Sequence, residues 1–136
     1  MSEPDKDLFN LAMSEESRPL LYALKKHIEE NVAPITEEFF ELNEGKEDRW
    51  TWHPRQLELL DGAKAKAKES GLWNFFLPDA ETGEGLNNLD YAYIASELGK
   101  YSLASESLNC SAPDTGNMEV LERVGTPEQK EQWLRP

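Results

Sequence analysis

Apolar residues recur at helical spacing along most of the chain, and the breaks between these stretches divide it into about five or six helices. Leu20, Leu24, Ile28, Ile35 and Phe39 form the first stripe, flanked by Leu21 and Val32. Lys25, Lys26, Glu29, Glu30, Glu37 and Glu38 fall largely between them, so one face is apolar and the other polar. Ser17 stands where it can cap this helix, with Pro19 tolerated in the first turn. Pro34 interrupts the pattern and predicts a kink or a division near Val32. Glu41 to Arg49 is a charged connector. Pro54 opens a second helix through Leu57, Leu59, Leu60, Ala63 and Ala67, which Gly71 ends.

Leu72 to Leu77 is an apolar run, and Leu77-Pro78 leads into a turn. Asn88 reads as the cap of a mostly apolar helix carrying Leu89, Ala92, Tyr93, Ile94, Ala95 and Leu98, with Asp90 in its first turn. So little polar surface predicts burial near the middle of the domain. Leu103 to Ser111 reads as a further helix of small residues: Ala104, Ser105, Ser107 and Cys110. Asp114 then suits the N-cap of a helix through Met118, Val120, Leu121 and Val124, and Gly125 suits a left-handed position at its end. Thr126-Pro127-Glu128-Gln129 restarts the chain as a capping box with Pro127 in the first turn. The last helix carries Trp133 and Leu134 and reads as interrupted, having no cap of its own.

At 136 residues the chain fits one domain with a core of its own. Its 27 acidic residues against 14 basic give a net charge of −13. Such a field repels nucleic-acid phosphates and anionic membrane surfaces. No apolar run approaches the ~20 residues of a membrane span. Residues 1–16 read as a flexible, acidic N-terminus, with Glu3, Asp5 and Asp7 where a secretion signal or transit peptide would be basic. A single cysteine excludes an internal disulfide and fits a reducing compartment, so the expected location is cytoplasmic.

Side-chain chemistry is sparse. His27 falls on the polar side of the first helix and His53 precedes a proline. Neither follows a Glu at the spacing of a di-iron bundle, and both read as ordinary surface or loop residues. Cys110 has no Cys or His at metal spacing and no base beside it, so it reads as a small core residue and no metal is expected. Thr82-Gly83-Glu84-Gly85 has too few glycines, and no following Lys-Ser/Thr, for a phosphate loop. Trp50 and Trp52 offer either a ligand platform or a seal of their loop onto the domain. Lys64, Lys66 and Lys68 lie near a helix C-terminus, where cations favour the dipole, and read as a solvated face. Taken by themselves, these residues specify no reaction.

Three groups of residues carry a family resemblance. Gly71-Leu72-Trp73, Leu77-Pro78 and Gly83-x-Gly85-Leu86 come first, and Ile94-Ala95-Ser96-Glu97-Leu98-Gly99 follows. The third is the run Asn109 to Pro136, NCSAPDTGNMEVLERVGTPEQKEQWLRP. In this order they resemble the N-terminal helical domain of acyl-CoA dehydrogenases over residues 17–136. The NCSAPDTGNMEVL run is similar to the larger long- and branched-chain type, found as the enzyme part of some multidomain eukaryotic proteins and in bacterial relatives. The resemblance implies an all-α, orthogonal helical bundle, ending at the junction to a flavin-binding β-domain.

The resemblance also implies a function: an oxidoreductase of fatty acid metabolism, using FAD for α,β-dehydrogenation of an acyl-CoA thioester. The glutamate base, the flavin site and the T-E-P motif belong to other parts of the family's chain, so no catalytic or flavin-binding residue and no bound FAD are expected in these 136 residues. The helices here would form one wall of the acyl pocket, and the family match puts Leu108, Asn109, Ala112 and Gly116 at that wall. The small residues of the Leu103–Ser111 helix would admit either a neighbouring helix or the acyl chain. Implied partners are the acyl-CoA substrate, electron-transfer flavoprotein or another acceptor, and further copies in a homo-oligomer. The alternative is a stand-alone helical interaction module without enzyme activity.

Overall fold

The computed structural model describes residues 11–48 and 50–135, and among them there are helices and connections but no strand. The elements are α1 (Arg18–His27), a π-helical turn (Ile28–Val32), α2 (Ala33–Glu41), α3 (Pro54–Glu69), α4 (Asn88–Leu98), α5 (Ala104–Ser107), α6 (Asp114–Val124) and α7 (Pro127–Gln129), which runs on into a second π-helical turn (Lys130–Leu134). The all-α class is as expected.

Pro34 acts differently from a simple break. It has no N–H to donate, so the ladder ahead of it is incomplete. The helix absorbs this by widening: the Ala33 N–H reaches back to the Ile28 carbonyl, and the Thr36 hydroxyl donates to the Val32 carbonyl at 2.8 Å. α1 and α2 therefore continue each other. Leu24, Ile28, Val32 and Phe39 of this long element are buried, with Leu20, Leu21 and Ile35 partly so, as the stripe predicts.

The core sits between that element, α3, the apolar segment after it and α4. Leu59, Leu60, Ala67, Leu72, Phe75, Phe76, Leu77, Ile94, Leu98 and Leu108 fill it. α3 begins with a tie to α2. Gln56, fully buried, donates from Nε2 to the Phe39 carbonyl at 2.8 Å, while its Oε1 accepts from the His53 N–H. His53 is therefore a helix cap and not a plain loop residue, its Nδ1 accepting from the Arg55 N–H at 3.0 Å. At the other end Gly71 takes φ +69°, with the Leu72 N–H bonded to the Ala67 carbonyl and the Gly71 N–H to the Lys68 carbonyl. That pair of bonds is the Schellman closure, which glycine permits.

Several expectations are corrected. Ser17 stands at the N-cap of α1 but makes no capping bond; its hydroxyl donates to Asp90 at 2.8 Å instead. Asn87, not Asn88, caps α4, accepting from the Asp90 N–H. α4 is buried on one face only, through Asp90, Ile94 and Leu98, and leaves Ala92, Tyr93 and Ala95 exposed. Trp50 is 84% exposed and does not seal its loop, whereas Trp52 packs edge-on against Phe39 at 5.4 Å. The lysines of α3 do form a largely solvated face, with Lys66 and Lys68 exposed, and each has a partner on it: Lys64 with Glu106, Lys66 with Glu69, and Lys68 over the Trp73 ring.

His27 is buried and not on a polar face, because the Ser107 hydroxyl of α5 lies 3.2 Å from its Nε2 and satisfies it there. The expected flexibility of residues 1–16 lies outside the described residues as far as residue 10. Residues 11–16 rest on α4, with Met13 buried and the Tyr93 hydroxyl donating to the Leu11 carbonyl. Among the described residues, no helix is long and apolar enough to cross a membrane.

Candidate functional site

The helix predicted for Leu103–Ser111 is only one turn long. Ala104 and Ser107, both fully buried, face α3 and the first π-helical turn, so there the small residues admit a neighbouring helix. Asn109 then ends the turn at φ +57°. The Cys110 N–H donates to the Ser105 carbonyl at 2.8 Å and the Asn109 N–H to the Glu106 carbonyl, a second Schellman closure with asparagine in the left-handed position. Asparagine is the side-chain-bearing residue that tolerates that position best.

The corner is held from two sides. Asn109 Nδ2 donates to Asn74 Oδ1 at 2.7 Å and lies 3.5 Å from the Met118 sulfur of α6. Cys110 Sγ lies 3.2 Å from the Tyr91 hydroxyl, and Tyr91 stacks on Phe75. Burial, with the Cys110 thiol beside it, pushes the Tyr91 phenol up, and burial likewise pushes the Cys110 thiol up. Both stay neutral near pH 7, so Cys110 is a packed core group and not a nucleophile.

Beyond the corner the chain runs through Ser111, Ala112 and a cis Ala112–Pro113 peptide into α6. Asp114 is the first residue of α6 and not its cap; Pro113 holds the cap position without a side-chain bond. No residue of α6 is buried. Gly125 closes the helix at φ −66°, in extended and not left-handed backbone. Glycine is needed there for closeness, since a Cβ would stand 2.5 Å from the Leu121 carbonyl oxygen. The Thr126 box forms as read, with the Gln129 N–H bonded to Thr126 Oγ1 and the Thr126 N–H to Gln129 Oε1.

Of the four residues put at a pocket wall, Leu108 is fully buried in the core and Asn109 is half-buried at the corner. Ala112 is exposed, and Gly116 lies on the open side of α6, with nothing within 4 Å of where a Cβ would stand. A separate groove of about 330 Å³ between α4 and α6 is lined by Phe76, Leu86, Tyr91, Thr115 and Arg123 among others; none of the four lines it. Sequence reasoning missed Asn74, whose only signal is an asparagine following the Gly71 helix stop.

The turn from Asp79 to Gly85 does not fit a flavin or nucleotide phosphate. Its Thr82, Gly83 and Glu84 N–H groups donate to the Asp79 and Phe75 carbonyls, and the Leu77 backbone fills the space a Cβ on Gly83 would need. Among the described residues no group of three or more His, Cys, Asp or Glu could hold a metal.

Comparison with known proteins agrees with this architecture. The family described as acyl-CoA dehydrogenase, N-terminal domain, matches residues 14–136. Acyl-CoA dehydrogenase family member 10 of Mus musculus is 44% identical over 88% of this chain and 11% of its own length. Family member 11 of Homo sapiens is 46% identical over 83% of this chain and 14% of its own. A solved chain from Mycobacterium abscessus, assigned as an acyl-CoA dehydrogenase, superposes with a TM-score of 0.76 at 42% identity, over 92% of this chain and 32% of that one. The present chain thus spans only a small part of the length of these relatives. It belongs to the acyl-CoA dehydrogenase family, and the part of the family it matches is the N-terminal helical domain.

Proposed function

We propose that this chain serves as the N-terminal domain of an FAD-dependent acyl-CoA dehydrogenase and supplies one wall of its acyl pocket. The reaction would be α,β-dehydrogenation of an acyl-CoA to the enoyl thioester, and neither the base nor the flavin-holding residues it would need are expected in this chain. Flavin supplies the redox chemistry when bound to the rest of the enzyme. The residues of this chain touch neither the proton nor the hydride; their task is to set the shape of the acyl path.

The observation that supports this is the openness that follows the fixed corner. Ala112 is exposed and Gly116 has empty space above it, on an α6 that buries no residue within this domain. Val120, Val124 and Trp133 in the C-terminal part, and Tyr93 on α4, are exposed as well, apolar side chains suited to cover by the remainder of an enzyme. The acceptor for the electrons is electron-transfer flavoprotein or an equivalent carrier, the assembly a homo-oligomer and the setting cytoplasmic.

Anaerobic mixing of the complete enzyme with acyl-CoAs of graded length tests the reading. Bleaching of the flavin absorbance, with enoyl-CoA formed, is the expected outcome. No bleaching with any acyl-CoA would contradict it.

A further inference from the structure

Two non-glycine residues of the described chain occupy left-handed backbone, Asn74 at φ +61° and Asn109 at φ +57°. They are 35 residues apart in sequence, yet their side chains are bonded to each other, Asn109 Nδ2 to Asn74 Oδ1 at 2.7 Å. Glycine would relieve the backbone at either position, but it would remove the bond. The same Asn109 amide lies against the Met118 sulfur. One side chain therefore ties together three elements that few other polar bonds join: the segment after α3, the end of α5, and α6.

The Asn74 side is rigid. The next residues, Phe75, Phe76 and Leu77, are all buried, and the Leu77 N–H bonds back to the Asn74 carbonyl. The α6 side meets the core less deeply, since that helix buries no residue and reaches the core through the partly buried Met118. The bond thus transmits the order of the core to the corner from which Ala112 and Gly116 follow.

We infer that Asn74 is a positioning residue for acyl-chain selectivity, acting through Asn109 to fix the Asn109–Pro113 corner. This rests on the wall reading given above. Asn74 meets no substrate. Its loss would let the corner shift, which matters to a long acyl chain that reaches it and not to a short one.

The complete enzyme carrying Asn74→Gly, Asn74→Asp or Asn74→Ala tests this. Gly keeps the left-handed backbone without strain and removes the bond; Asp keeps an acceptor oxygen in the same place. The expected result for Asn74→Gly is an unchanged or raised Tm, an unchanged kcat, and a KM for long acyl-CoAs raised by about tenfold, with short acyl-CoAs spared. Asn74→Asp should restore the wild-type profile. Asn74→Ala should add a fall in Tm, because the strain stays and the bond goes. An Asn74→Gly enzyme whose KM is unchanged, or raised alike at every chain length, would overturn the inference while leaving the wall reading intact. A wild-type enzyme that bleaches with no acyl-CoA would overturn both.

Discussion

His27 Nε2 lies 3.2 Å from Ser107 Oγ, joining α1 to α5 where both side chains are out of reach of water. The Ser107 hydroxyl gives its proton to the Ala104 carbonyl at 2.8 Å, so Nε2 carries the hydrogen of this bond. Nδ1 is left to accept from Asn31 at 3.4 Å. The histidine is neutral by construction, and burial lowers its pKa below the ordinary 6.5.

A pH dependence follows, and its sign is set. Below pH 6.5 the unfolded chain protonates His27 while the folded one does not, so stability falls as the pH drops until the lowered pKa is passed. Urea unfolding from pH 8 to 5 should show that decline, and His27→Gln should flatten it. Ser107→Ala, which leaves the Nε2–H without its partner, should cost about 1–3 kcal/mol at neutral pH. A wild-type stability that is flat between pH 7 and 5.5 would contradict this.

The Asp90 carboxylate gathers the Ser14 N–H, the Ser14 and Ser17 hydroxyls and the Asn87 amide, at 2.6 to 3.0 Å. Its burial works to raise the pKa, but these donors outweigh it and hold the group below its ordinary range. Asp90→Ala should cost about 1.5–3 kcal/mol, the value of hydrogen bonds to a charged group. It should also free residues 11–16, seen as earlier cleavage near Ser14 in limited proteolysis. Unchanged Tm and cleavage would show that the clasp does not hold the segment.

Gly116 within α6 and Gly125 at its C-cap should respond in opposite ways. A Cβ on Gly125 meets the Leu121 carbonyl at 2.5 Å, so Gly125→Ala should destabilise by about 1–3 kcal/mol. Gly116 is inside the helix with nothing near it, so Gly116→Ala should be neutral or stabilise by up to about 1 kcal/mol. Chemical denaturation of the two variants measures both signs.

What could be read in advance, and what could not, divides along a physical line. The α1–α2 stripe, the Gly71 stop and the Thr126 box were legible because each is settled within one helical turn. Ser17 does stand at the cap position, but a distant partner, Asp90, takes its hydroxyl; Asn88 and Asp114 each fall one position inside the helix, behind Asn87 and Pro113. His27 looked like a surface residue because its partner, Ser107, is 80 positions away. The motif run Asn109–Pro136 announced the family but not the local shape: Asn109 takes the left-handed position just past α5, and Gly125 answers a close contact and not a left-handed turn. The wall residues Leu108, Asn109, Ala112 and Gly116 came from resemblance alone, and no periodicity could have singled them out.

The most direct measurement of the wall reading is kcat/KM of the complete enzyme across an acyl-CoA length series, wild type beside Ala112→Phe, with Tm recorded for both. Ala112 is exposed in this domain, so the larger side chain displaces nothing from the domain's own core, and Tm shows whether it clashes elsewhere in the enzyme. If the acyl path runs past it, long substrates should lose activity steeply and short ones little, by up to about 1–3 kcal/mol for each methylene that reaches the blocked region. A loss equal at all chain lengths, or no loss at any, would contradict the placement of the acyl wall at this corner.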